Sequence, residues 1–266
     1  MNLKDFYEDH INFSLRTYLD YYISPGIKCK YDLLKFYLER IKDNQNMLEI
    51  GPSGNSFLKF LNKFKHNTLL DIAFRPLREY INGKSGEKNK MIFKNSPKFY
   101  PTNSDATFLP YRDNTFDYVF LIDVLEHIKN DSLVLIDIER VIKKGGVLFI
   151  TIPQHMKIFS IQDKLIGHFR RYDLKELIYK LEELGFQVIR NFGIYGRLFR
   201  ITDLQKINHK GVETQIRNLR ERYHSNLFFK VFWNTLVKFL SFCMKIEVKF
   251  LKLDKNMNVG LIVRKE

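Results

Sequence analysis

The sequence predicts an α/β fold in which a parallel sheet is joined by helical crossovers. Three observations predict it. Strand-like apolar segments alternate with segments whose apolar residues recur at helical spacing. Two segments, FDYVFLID (116–123) and GVLFITIP (146–153), are almost continuously apolar, as expected of strands covered on both faces. Four carboxylates, Glu49, Asp71, Asp105 and Asp123, fall at or just beyond predicted strand ends. They therefore share the rim where open parallel sheets bind ligands.

The elements follow in order. Residues 1–25 read as helical and aromatic, ending at SPG, and YDLLKFYLERIK (31–42) has apolar side chains at helical spacing. NMLEI is the first strand. It breaks into the turn Gly51-Pro52-Ser53-Gly54, and NSFLKFLNKF is the helix beyond it, capped by Asn55 or Ser56. NTLLDI (67–72) is the second strand and ends in Asp71, and KFYPTNSDAT contains the third. After FDYVFLID comes the helix DSLVLIDIERVIKK, capped by Asp131 and stopped by Gly145-Gly146. GVLFITIP is the next strand. DLKELIYKLEELG (173–185) is a helix ending at Gly185, FQVIRNFGIYG a strand, and NVGLIVRKE (258–266) the last strand.

The 266 residues suffice for one large domain or two small ones, and 45% hydrophobic with 28% charged residues is ordinary globular composition. Cys29 and Cys243 lie far apart and match no metal spacing, so the reading is two reduced thiols in a cytoplasmic protein with no metal site. The start, MNLKDFYEDH, is too polar for a secretory signal. No uncharged apolar run approaches the roughly 18 residues that would argue for a spanning helix. The net charge of +14 admits nucleic acid, an anionic membrane surface or an acidic substrate. The joint abundance of Lys, Asn, Ile and Phe also fits a bias toward A/T-rich codons, which scatters lysines without any partner.

The first turn alone fits a dinucleotide fingerprint only in part. It reads G-P-S-G-N-S where G-x-G-x-x-G is wanted, although Asp71 lies 20 residues after Gly51, a spacing that suits a ribose diol. The block at 105–153 decides the reading. It contains Asp105-Ala106, Leu109-Pro110-Tyr111, Thr115-Phe116-Asp117, Val124-Leu125-Glu126-His127 and Arg140-Val141-Ile142-Lys143-Lys144-Gly145-Gly146. In this register it resembles the class I S-adenosylmethionine-dependent methyltransferases. With LEIGPSG and LLDIAF upstream and GHFRRYDLKELIYKLEELGF downstream, the resemblance covers roughly 46–195, and the last strand fits as well. It implies a Rossmann-like, seven-stranded, mostly parallel sheet with helices on both faces. To this the chain adds an N-terminal helical cap (1–45) and a helical insert (197–254) before the last strand, the core being 46–196 and 255–266.

The resemblance also implies roles. Glu49 and the turn at Gly51, Ser53 and Gly54 hold the methionine end of S-adenosylmethionine. Asp71, with Ile72 beside it, takes the ribose hydroxyls. Asp105 and Ala106 take the adenine, and Leu121, Ile122 and Asp123 line the far side. The chain departs from the family's Gly-x-Gly-x-Gly turn, with Ser53 and Asn55 at the second and third glycine positions and Gly54 out of phase. One reading of Glu126 and His127 is that they only position the following loop.

For the acceptor side the candidates are His127, His155, His168, Arg171 and Tyr172, as base or anion-holding groups. Arg170 could join Arg171. The Asn/Asp-Pro-Pro-Tyr/Phe motif for exocyclic amines is absent, the matching strand end reading LIDV, and neither cysteine sits at a strand end as a cytosine-C5 nucleophile would. A small-molecule, sugar or lipid-linked acceptor is favoured. In the insert, Lys230, Asn234, Lys238, Ser241, Lys245, Lys249 and Lys252 make one polar stripe on a helix otherwise rich in Leu, Phe and Val. Either this helix packs on protein with the stripe outward, or residues 226–252 make peripheral contact with the inner membrane surface. The alternatives are an inactive cofactor-binding partner protein, suggested by the altered turn, and an RNA methyltransferase, suggested by the charge.

Overall fold

A computed structural model describes residues 4, 19–38, 45–54, 56–61, 66–81, 98–199 and 209–266. The start of the first predicted helix, residues 39–42 of the second, Asn55 and the first residues of the insert lie outside these. Seven strands form one sheet: β1 (Asn46–Ile50), β2 (His66–Asp71), β3 (Phe99–Asn103), β4 (Phe116–Ile122), β5 (Ile142–Pro153), β6 (Phe186–Tyr195) and β7 (Asn258–Lys265). Their spatial order is β3-β2-β1-β4-β5-β7-β6. The first five pair in parallel, and β7 is antiparallel to both neighbours.

Alternation along the central strands explains the two-faced sheet, because successive side chains point to opposite faces. On β4, Val119 and Leu121 enter one core cluster and Phe120 the other; on β5, Leu148 and Ile150 oppose Phe149. The first cluster is closed by α5 (Asp131–Val141) and, beyond the short α6 (Ile161–Leu165), by α7 (Leu174–Glu183). The second is closed by α2 (Pro25–Leu38), α3 (Leu58–Leu61), α4 (Phe74–Ile81) and α9 (Leu227–Phe250).

Local differences from the expected elements have local causes. The SPG segment ends one helix and starts another. The short α1 (Asp20–Ile23) stops at Ser24, and α2 begins at Pro25, whose fixed φ suits a first helical turn. Helix α5 ends at Val141, before Gly145-Gly146, and Asp131 lies inside it, buried, instead of capping it. The two glycines belong to a bulge in β5, where the register against β4 shifts between Phe116 and Tyr118. Gly146 has no room for a side chain there, since a Cβ would lie 2.8 Å from the Lys143 carbonyl oxygen. Asp173 does cap α7, accepting from the Lys175 and Glu176 amides at 2.8 and 3.4 Å.

The insert is a helical hairpin. Helix α8 (His209–Ser225) meets α9 at Asn226, which caps α9 through the Phe229 amide at 2.9 Å. The hairpin and the N-terminal helices form one layer. Arg220 binds Asp20 at 2.8 Å, Lys245 binds Asp32 at 2.8 Å, and Trp233 donates to the Ile23 carbonyl at 3.0 Å. The polar stripe on α9 does not simply face outward. Ser241 is buried, Lys245 is paired, and Asn234 accepts from Tyr223 at 2.7 Å. The exposed stripe consists of Phe228, Phe232, Phe239, Phe242, Ile246 and Phe250.

Candidate active site

The rim at the carboxyl ends of the parallel strands carries the site. β1 ends at Ile50, and Gly51 turns the chain with φ +67°, a conformation cheap only for glycine. A Cβ on Gly51 would lie 2.7 Å from Val124 Cγ2, so the turn closes directly against the segment after β4. Ser53 also adopts positive φ, +51°, which explains why glycine is the usual residue there. Asp71, at the end of β2, holds this turn from the neighbouring strand. Its Oδ2 accepts from the Ser53 amide at 3.0 Å and its Oδ1 from the Ala73 amide at 2.9 Å.

Tyr80 of α4 closes the turn from outside, accepting from the Ser56 amide at 2.7 Å and donating to the Ser53 carbonyl at 3.1 Å. Burial, reinforced by the Glu49 carboxylate, pushes this phenol well above its ordinary pKa. Glu49 is buried and accepts from the Ser56 hydroxyl and from the Phe57 and Leu58 amides at 3.0 and 3.3 Å. These bonds cap α3 and hold the turn from beneath. Burial pushes the Glu49 pKa up to about 7 despite these bonds. Gly54 is buried, and its carbonyl accepts from Lys59 at 3.4 Å.

Just beyond β3, Asp105 is exposed, with Oδ1 accepting from the Thr107 amide and hydroxyl, each at 2.8 Å, and Ala106 beside it is buried. The Ile72 carbonyl is held by Asn103 Nδ2 at 2.9 Å. Leu121 is wholly within the core, and Ile122 packs against the opposite cluster. Asp123 has φ +53° and bonds both Thr151, at 2.7 Å, and Lys30. Lys30 is buried and reaches over from α2, with Tyr195 beneath its ammonium group. Its position in the otherwise inward 26–30–34–38 stripe of α2 was the sequence signal for it.

The acceptor-side candidates divide. Tyr172 is a brace: its buried hydroxyl lies 3.0 Å from the Leu125 carbonyl and 2.9 Å from Asp131 Oδ2. Burial and the Asp131 carboxylate push its pKa far up, which corrects its expected role as a base. Arg171 is bound to Asp163 at 2.8 Å and Arg170 to Asp131 at 3.0 Å, so neither guanidinium is held ready for an anion. His155 Nε2 lies 3.0 Å from the Asn256 carbonyl. A carbonyl only accepts, so that nitrogen carries the proton and is not a base.

His127 and His168 meet edge to face at 4.6 Å between ring centroids, although 41 residues separate them in sequence. Burial holds the His168 pKa down, at about 4, and pushes the Glu126 carboxyl up to about 7. The loop carrying His168 is joined to the segment after β4 by the Phe169 amide, which donates to the Glu126 carbonyl at 2.8 Å. The sequence offered no metal-ligand spacing, yet Glu126, His127 and His168 place ligand-type atoms within 4.8 Å of one another.

A Rossmann-like sheet with a turn after β1, an acid ending β2 and an acid after β3 defines the nucleoside-cofactor class of α/β proteins. The family model described as a methyltransferase domain matches residues 16–191, more than half of the chain. The chain belongs to the class I S-adenosylmethionine-dependent methyltransferases.

Among its relatives is an uncharacterised protein of Methanocaldococcus jannaschii, 25% identical over 195 residues, covering 73% of this chain and 78% of the relative. The (S)-coclaurine N-methyltransferase of Papaver somniferum is 30% identical over 125 residues, covering 44% of this chain and 33% of that enzyme. The fold is shared with the N-methyltransferase NodS of Bradyrhizobium japonicum WM9, solved with S-adenosyl-L-homocysteine, at TM-score 0.60 and 13% identity, covering 100% of this chain and 99% of that one. It is also shared with phosphoethanolamine N-methyltransferase 2 of Haemonchus contortus in complex with S-adenosyl-L-methionine, at TM-score 0.60 and 16% identity, covering 100% of this chain and 60% of that one.

Proposed function

We propose that this protein methylates a small-molecule, sugar or lipid-linked acceptor. The observation that carries the reading is the Gly51–Ser53 turn closed over Asp71, with Asp105 just beyond the next strand. The site fits S-adenosylmethionine: the turn has no room for a side chain at Gly51, and Asp71 stands at the end of β2 with both carboxylate oxygens fixed by backbone amides beside that turn. In this reading the backbone at Gly51, Ser53 and Gly54 holds the methionine carboxylate, with Glu49 propping the turn. Asp71 takes the ribose hydroxyls, Asp105 and Ala106 the adenine, and Ile72, Ile122 and Asp123 border the pocket. The cofactor supplies an electrophilic methyl group. The protein's task is then to align the acceptor and exclude water. Of the five acceptor-side candidates, His127 and His168 are the two that lie together, edge to face at 4.6 Å between ring centroids.

The exposed aromatic stripe of α9, flanked by exposed Lys238 and Lys249, supports a lipid-linked acceptor met at an anionic membrane surface. Helix α9 has the length and composition to cross a membrane. However, Lys245 binds Asp32, and Glu247 accepts from the Arg197 amide at 2.7 Å, so both tie it sideways to the domain. The proposed arrangement is therefore interfacial.

Isothermal titration with S-adenosylmethionine and S-adenosylhomocysteine tests the cofactor assignment. Asp71→Ala should weaken both by roughly 100-fold or more, since hydrogen bonds to a charged group contribute about 1.5–3 kcal/mol each. Unchanged affinity would remove Asp71 from the ribose site. Labelled cofactor incubated with cell extract, followed by mass spectrometry, identifies the acceptor.

A further inference from the structure

We propose that Glu126, His127 and His168 bind a divalent transition-metal cation at the acceptor end of the site, and that the acceptor engages it through a hydroxyl oxygen. The acceptor clause rests on the methyltransferase reading; the cation site does not.

Three side chains bring one ligand atom each within 4.8 Å of one another. Glu126 is 1% exposed, and its Oε2 has no hydrogen-bond partner among the described residues. A buried carboxylate oxygen without a partner points to a missing one. The nearby cations are matched elsewhere: Lys30 to Asp123 and Arg171 to Asp163.

His168 is prepared as a ligand. Its Nδ1 lies 3.0 Å from Asp163 Oδ1, and Asp163 is itself fixed by Arg171 and by the Ser160 amide and hydroxyl at 2.8 and 2.9 Å. A carboxylate so placed accepts from Nδ1–H. Nε2 is therefore left as the lone-pair nitrogen, and it lies 3.9 Å from Glu126 Oε1. A carboxylate orienting the far nitrogen of a histidine is the usual support for a metal-binding imidazole.

Two imidazoles and one carboxylate suit Zn²⁺, Fe²⁺ or a similar ion and leave coordination positions for oxygen donors. The site adjoins the cofactor turn, because Gly51 packs on Val124, two residues before Glu126. A hydroxyl bound there loses its proton more readily. The O–H bond breaks, the electron pair stays on oxygen, and the proton passes to water.

The test titrates the chelator-treated full chain, without S-adenosylmethionine, with Zn²⁺, Mn²⁺ and Co²⁺. Calorimetry and the visible absorption of Co²⁺ are the readouts. One saturable equivalent is expected, weakened at least ~10–100-fold in Glu126→Gln, His168→Gln and His127→Gln, and by about 10–100-fold in Asp163→Asn. S-adenosylhomocysteine binding by each variant reports that it is folded. Absence of binding at millimolar cation, or wild-type affinity in folded Glu126→Gln and His127→Gln, overturns the site. Cation binding by a wild-type chain that ignores S-adenosylhomocysteine would keep the site and remove the methyltransferase reading.

Discussion

Gly51 is the most constrained residue of the site, because backbone and space forbid a side chain independently. Alanine there should cost about 1–2 kcal/mol for the left-handed backbone alone, plus the clash with Val124 Cγ2 at 2.7 Å. Adding Val124→Ala should restore the second part and not the first, as read by thermal melting and S-adenosylhomocysteine affinity. A Gly51→Ala protein with wild-type melting would refute the constraint. Glu49 gives a pH prediction. Its folded pKa of about 7 exceeds the ordinary 4.5, so it is protonated in both states below pH 4.5 and its contribution is then full. As pH rises toward 7 the unfolded chain releases a proton that the folded chain retains, and stability falls. Glu49→Gln does not titrate, so wild-type stability relative to the variant should drop by on the order of 3 kcal/mol across that window. A flat difference would show that Glu49 is not desolvated. Asp71 and Asp105 were legible in the sequence because strand ends in such sheets share a rim. Tyr80 was not, since nothing local shows that its hydroxyl reaches Ser53, 27 residues earlier.

At the scale of elements, α4 matters through that same tyrosine. Tyr80→Phe strands the Ser56 amide and the Ser53 carbonyl, which should cost about 1–3 kcal/mol and loosen the turn. Weaker S-adenosylhomocysteine binding with unchanged far-ultraviolet circular dichroism is the expected signature; full affinity would show that Asp71 alone secures the turn. The strands were the most legible elements, since β4 from residue 118 and β5 from residue 147 are almost continuously apolar and each central strand feeds both clusters. Gly145-Gly146 misled for a physical reason. Glycine stops helices and also fills bulges, and only the pairing of β5 with β4 tells which occurs. The Glu126–His127–His168 group was illegible because two separate loops build it, joined by the Phe169 amide.

For the whole molecule, the cap and the insert, read as separate additions in sequence, join in one helical layer. Periodicity showed a polar stripe on α9 but not its direction, because Asp32 and Tyr223, which turn parts of it inward, belong to other helices. The Phe-rich stripe left outside predicts flotation with anionic vesicles and much less with zwitterionic ones. Phe239→Asp with Phe242→Asp should abolish flotation while leaving S-adenosylhomocysteine affinity intact. Equal flotation of this variant would assign any binding to charge alone.

Helix α2 has a double attachment. Lys30 holds Asp123 at the end of β4, and two residues on Asp32 holds Lys245 of α9. Any effect of a surface bound at α9 on the rim would pass through this helix. Linkage makes such an effect reciprocal: if vesicles change S-adenosylhomocysteine affinity by some factor, S-adenosylhomocysteine must change vesicle affinity by the same factor. Lys30→Met, which cuts the attachment at one end, should bring both factors toward unity together.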